Sequence, residues 1–135
     1  MRFPWLKYVG DSQAPLLRIG VRRRGVVIGT DLVVMVDTGA DQTLLHLRWA
    51  DLLGFNDADL VEESCKSASG PMTVYRPKPR SRLGVDFQIG DAWFSVPSLQ
   101  FGGKVPLSLL GRDMIFEHFD LRMTATDFHL LPRKK

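Results

Sequence analysis

The strongest chemical signal in the chain is the run Asp37-Thr38-Gly39-Ala40-Asp41. The apolar stretch Leu32-Val33-Val34-Met35-Val36 leads straight into it, so a carboxylate stands where the backbone leaves a buried strand. Gly39 allows that turn to approach other atoms closely. A carboxylate in such a place is poised for proton transfer, although Asp, Thr and Gly also make ordinary strand-ending turns. A second stretch, Leu107-Ser108-Leu109-Leu110-Gly111-Arg112-Asp113, follows far downstream with an apolar lead-in of its own. Arg112 suits a bidentate pair with Asp41, because a planar guanidinium matches the two oxygens of a carboxylate.

Other groups capable of chemistry read as bland. Cys65 is the only thiol, so no intramolecular disulfide framework exists and a reducing compartment is expected. Lys66 and Lys78 are near it in sequence, but no His or Asn completes a nucleophilic site, and the thiol reads as inert. His46, His118 and His129 lie far apart without metal-ligand spacing, so no metal and no cofactor are expected. No phosphate loop of the G-x-x-x-x-G-K type occurs, and Trp5, Trp49 and Trp93 read as core or interface residues.

The elements that must position these groups are mostly strands. Leu16 to Val21 is one, and Arg24-Gly25 offers a turn before Val26-Val27-Ile28. Gly29-Thr30-Asp31 reads as a break before Leu32 to Val36. Leu83 to Ile89, the turn Gly90-Asp91 and Ala92 to Val96 read as a hairpin. A helix of about two turns is expected within Leu44 to Leu53, stopped by Gly54, and another turn over Asp113 to Phe119. Strand signals then continue to Leu131. The segment from Ser64 to Tyr75, with small residues from Ser67 to Gly70, suits a hairpin with a mobile tip or an ordinary surface loop.

With 135 residues, 44% of them hydrophobic and 24% charged, the chain is expected to form one domain over 1–135 with a real core. The net charge of +3 comes with short basic groups at Arg22 to Arg24, Arg76 to Arg82 and Arg133 to Lys135. They read as solvated surface, and no nucleic-acid partner is expected because no aromatic residues interleave with them. Neither a signal-peptide stretch nor a membrane span is legible, so a soluble, cytoplasmic protein with no membrane association is expected.

Together, the two motifs and the hairpin between them resemble the retropepsin-like aspartic proteases, the single-lobed class found in retroviruses and in cellular relatives. In that family an apolar strand carries Asp-Thr-Gly-Ala-Asp, a flap hairpin follows, and an apolar-apolar-Gly-Arg-Asn/Asp motif opens the C-terminal helix. The likeness covers roughly residues 15 to 131. It implies an all-β fold: a closed, barrel-like lobe with a flap hairpin and one or two short helices, paired as a homodimer. The helix-like Leu44 to Leu53 segment is more similar to bacterial and cellular members than to the compact viral enzymes.

The chemistry also asks for a dimer. Carboxylate-only peptide hydrolysis needs one ionised group to take a proton from water and a protonated partner to donate to the scissile carbonyl. Two adjacent carboxylates share one proton and so divide these roles. No second Asp-Thr-Gly or Asp-Ser-Gly occurs here, so the partner Asp37 must come from a second copy. The resemblance makes Asp37 catalytic and has Thr38 donate its hydroxyl across the two-fold axis. Gly39 would offer its carbonyl to an extended peptide substrate, with Ala40, Asp41 and Leu110 beside it. Arg112 would pair structurally with Asp41, and Ser69 and Gly70 would stand near the flap tip. The tip has one Gly and a Pro where viral flaps carry several glycines. A domain of this fold that binds peptides or dimerises without cutting is the alternative reading.

Overall fold

The structure is a computed structural model that describes residues 1–67, 70–79 and 83–134, with Ser67 described by its backbone. Its elements in chain order are β1 (Arg2–Pro4), β2 (Leu6–Val9), β3 (Ser12–Ala14), β4 (Leu16–Arg23), β5 (Val26–Val36), β6 (Leu44–His46) and α1 (Arg48–Leu52). A 3-10 turn (Asp57–Asp59) precedes β7 (Leu60–Ser67) and β8 (Gly70–Pro77). Then come β9 (Val85–Ile89), β10 (Ala92–Ser95), β11 (Gln100–Gly102), β12 (Ser108–Leu110), α2 (Arg112–His118), β13 (Phe119–Met123) and β14 (Asp127–Pro132).

A nine-stranded sheet in the order β10-β9-β4-β5-β12-β6-β11-β8-β7 organises the chain. Most neighbours are antiparallel, but β12 runs parallel to β5 and β11 runs parallel to β6. The first of these pairings matters most. Its register sets Leu110 opposite Val36, so the two apolar lead-ins end at the same level and their motifs emerge side by side. Alternation on β5 buries Leu32, Val34 and Val36, which pack with Leu17, Ile19, Phe87, Phe101, Phe119 and Phe128 in one core. No helix among the described residues is long and apolar enough to cross a membrane.

Two expectations fail locally. Gly29-Thr30-Asp31 does not break the chain: β5 runs through it for eleven residues, and the pairing with β4 absorbs the irregularity by register shifts around Val21. Gly29 is small for a packing reason, since a Cβ there would come within 3.1 Å of the Trp49 ring. Leu44 to His46 is strand rather than helix, pairing with β11 and β12, and only Arg48–Leu52 is helical. Gly54, at φ +83, ends that helix in a Schellman motif: Phe55 N–H donates to Ala50 C=O and Gly54 N–H to Asp51 C=O, each at 2.9 Å.

The chain ends meet in a separate sheet, β1-β14-β13, in which β1 pairs with β14 of its own chain. Arg2 Nε donates to Asp127 Oδ2 at 2.6 Å and Thr124 Oγ1 to Asp127 Oδ1 at 2.7 Å. The Thr124 hydroxyl first, and then Arg2, hold the Asp127 carboxyl below its usual range. A depressed carboxylate contributes stability that is present above the unfolded-state value near pH ~4 and lost as pH falls through the lower folded value. Acidification below about pH 4 is therefore expected to loosen β1 from β14. Amide hydrogen exchange of β1 against pH reads this, and Asp127→Asn should flatten the acid response.

Candidate active site

Asp37 is the first residue beyond β5 and is half-buried at the floor of a groove. Its N–H donates to Leu110 C=O across the parallel pair at 3.0 Å. Gly39 N–H donates to Asp37 Oδ1 at 2.9 Å and Ala40 N–H to Asp37 C=O at 3.2 Å, so the turn closes on its own carboxylate. Asp37 Oδ2 has no hydrogen-bond partner among the described residues. One oxygen is thus fixed by the backbone, and the other is available to a water or a second acid.

The second motif braces this loop. Arg112 Nη2 pairs with Asp41 Oδ1, and Arg112 Nη1 donates to Thr38 C=O at 2.9 Å. The Arg112 backbone N–H donates to Ala40 C=O at 2.9 Å and the Asp113 N–H to Asp41 C=O at 3.3 Å. One arginine therefore holds the loop on both sides of Gly39. With Asp41 largely and Arg112 nearly half exposed, the pair fixes geometry more than it adds stability.

Asp113 is a site residue for which the sequence reading assigned no role. Its carboxylate accepts from Thr43 N–H at 3.0 and 3.1 Å, Thr43 Oγ1 at 2.7 Å, Ser98 Oγ at 2.5 Å and Met114 N–H at 2.7 Å. Thr43 Oγ1, fully buried, in turn accepts from Gly111 N–H at 3.1 Å. The far end of the Asp-Thr-Gly loop is thereby locked to the start of α2. An acidic residue in the first turn of a helix was the available signal. Gly111 is set by contact: a Cβ would lie 2.5 Å from Gln42 C and 2.7 Å from Gln42 O.

The groove encloses about 1150 Å³. Asp37, Gly39, Ala40 and Asp41 form its floor, and Cys65, Lys66, Pro71, Met72, Thr73 and Tyr75 reach it from the β7–β8 hairpin. Val105, Pro106, Leu107 and Leu109 line the other side, with Tyr8 of the N-terminal hairpin β2–β3 at the edge. Leu110, expected at the groove, is fully buried instead. Period-two alternation on β12 turns it into the core and turns Leu109 to the groove. Thr38 is exposed at the loop's apex. Gly70 pairs with Ser67 at the end of the hairpin without lining the groove, and Ser69 lies outside the described residues.

The remaining candidates are engaged elsewhere. His118 is buried, its Nε2 at 2.6 Å from Ser95 C=O, His129 lies by Asp127, and His46 Nδ1 accepts from Arg48 N–H. No metal-binding group of His, Cys, Asp or Glu forms among the described residues. Of the basic groups, Arg22 pairs with Asp86 and stacks on Trp93, while Arg23 stacks on Phe55. Arg80, Arg82 and Lys135 lie outside the described residues.

A carboxylate turn at the end of a buried strand, braced by Gly-Arg-Asp under a hairpin-covered groove, defines an aspartic protease scaffold. The chain belongs to the aspartyl protease family, whose model matches residues 24–114. Among solved structures it is similar to a retropepsin-like aspartic protease from Rickettsia conorii, at 19% identity and a TM-score of 0.63, over 95% of this chain and 97% of that one. It is also similar to EIAV protease complexed with the inhibitor HBY-793, at 17% identity and a TM-score of 0.56, over 83% of this chain and 93% of that one. At these identities the likeness is one of fold, and that fold is all-β and retropepsin-like. No curated protein matches the chain.

Proposed function

We propose that the protein is an aspartic endopeptidase that cuts extended polypeptide segments as a homodimer, each copy supplying one Asp37. The observation that carries this reading is the state of Asp37: one carboxylate oxygen is held by Gly39 N–H and the other, at the floor of the groove, has no partner among the described residues. With one such group per chain, a two-fold pairing supplies the second carboxylate that the chemistry needs.

The paired Asp37 carboxyls share one proton and hold a water between them. The ionised member takes a proton from that water as its oxygen adds to the scissile carbonyl carbon, and the protonated member donates to the carbonyl oxygen. Collapse of the tetrahedral adduct returns a proton to the amide nitrogen, breaks the C–N bond and frees an amine and an acid. In the dimer Thr38, which is exposed, donates its hydroxyl to the partner's loop. The Gly39 carbonyl takes the substrate backbone, with Ala40 and Asp41 beside it. The β7–β8 hairpin is the flap, closing over the peptide and excluding water.

The dyad exists only in the dimer, so activity must follow dimer concentration. The rate per mole of chain is expected to rise with dilution reversed, from near zero at low concentration to a plateau once dimer dominates. Cleavage of an unfolded protein over a dilution series between pH 4 and 8 tests this. Proportional activity down to full dilution counts against a shared site.

A further inference from the structure

A second cavity of about 470 Å³ lies beside the groove and has no part in the mechanism above. Ala50, Phe55 and Leu60 give it apolar walls, and Leu47 and Tyr75 stand between the two compartments, lining both. Asp51, Asp57 and Glu62 also line it, and no Lys or Arg is among the described residues that do. All three carboxylates are exposed, and none has an ion pair or a side-chain hydrogen bond among the described residues. Of the cations nearby, Arg76 beside Tyr75 is held by Glu63, and Arg23, stacked on Phe55, donates to the Leu53 and Leu83 carbonyls without lining the cavity.

Apolar walls with a rim of three carboxylates that make no ion pair among the described residues complement one kind of side chain: a long aliphatic stem ending in a cation. The walls take the methylenes and the rim takes the charge, which stays partly hydrated and so costs little to bring in. Because Leu47 and Tyr75 also line the groove, a peptide lying in it can place a side chain over that boundary without leaving its extended path. Asp37 does not line this cavity, so the residue it receives is not one at the cut.

We propose that this cavity is a specificity subsite for a lysine or arginine side chain of the substrate, displaced from the scissile bond. This rests on the endopeptidase reading and narrows it to polypeptides with a basic residue near an apolar cleavage site.

The test uses the full chain carrying Asp37→Asn, which cannot cut, and labelled peptides with an apolar centre. Arg is placed at one position after another, each peptide being paired with its Gln counterpart. The expected result is roughly tenfold tighter binding of the Arg peptide at one position, weakened by salt. Adding Asp51→Asn and Glu62→Gln, near-isosteric changes at exposed positions, should erase that difference and leave Gln-peptide binding unchanged. Equal binding of Arg and Gln peptides at every position overturns the subsite and leaves the endopeptidase reading intact. A difference that survives the carboxylate changes also overturns it, and failure of every peptide to bind overturns both.

Discussion

Replacing Asp37 by Asn is expected to lower peptide cleavage by roughly 10⁴-fold, because it removes both the base that takes the water proton and the acid that returns it. The loss should be chemical rather than structural. The amide oxygen of Asn can still accept from Gly39 N–H, where Asp37 Oδ1 accepts at 2.9 Å, and the backbone bond from residue 37 to Leu110 C=O is untouched. Thermal unfolding of the variant should therefore lie within about a degree or two of wild type, since no cavity, strain or buried unpaired group is created. Cleavage of an unfolded protein read beside thermal unfolding separates the two effects. An active Asp37→Asn enzyme would remove Asp37 from the chemistry.

The second large effect is expected at a residue with no functional group. In Gly111→Ala the new methyl would sit 2.5 Å from Gln42 C, 2.7 Å from Gln42 O and 2.9 Å from Thr43 N, all backbone atoms without a rotamer to yield. The φ of −89° at Gly111 is open to any residue, so the conflict is one of contact rather than conformation. Relief requires moving α2 away from the loop, which pulls on Gly111 N–H···Thr43 Oγ1 and on the bonds from Thr43 to Asp113. Overpacking of this kind costs about 1–3 kcal/mol, and the melting temperature should fall by several degrees. Activity should fall further than stability, because the displaced loop carries Asp37 and closure of the site depends on its position. Gly103→Ala is the control: its Cβ would meet only Leu47 Cδ2 at 3.8 Å, ordinary contact, and it should unfold as wild type does.

What could be read from the amino acids followed from how local the cause was. The strand into Asp37 and the motif after Leu110 carry their own apolar runs and were legible without the rest, whereas Ser64 to Tyr75 fitted a hairpin or a surface loop until the two motifs flanking it were taken together, and the pairing in fact extends from Leu60 to Pro77. Leu44 to His46 was not, because three apolar-rich residues fit a helix or a strand equally well and the choice is made by the neighbours β11 and β12. The same holds for Gly29-Thr30-Asp31, where a long partner strand carries the chain across a sequence that alone would turn. Facing was also beyond reach for Leu109 and Leu110, since period-two alternation distinguishes two sides but not which one is the core. Asp113 and Thr43 meet across the fold, with no spacing to announce them.

In the proposed dimer, one working site needs two copies of Asp37. Mixing wild type with Asp37→Asn at constant total concentration, after the subunits have exchanged, tests it most directly. If both copies contribute, only wild-type pairs cut, and an equal mixture retains about one quarter of the activity. If each chain carried a complete site, the loss would follow the wild-type fraction, and the equal mixture would keep about one half.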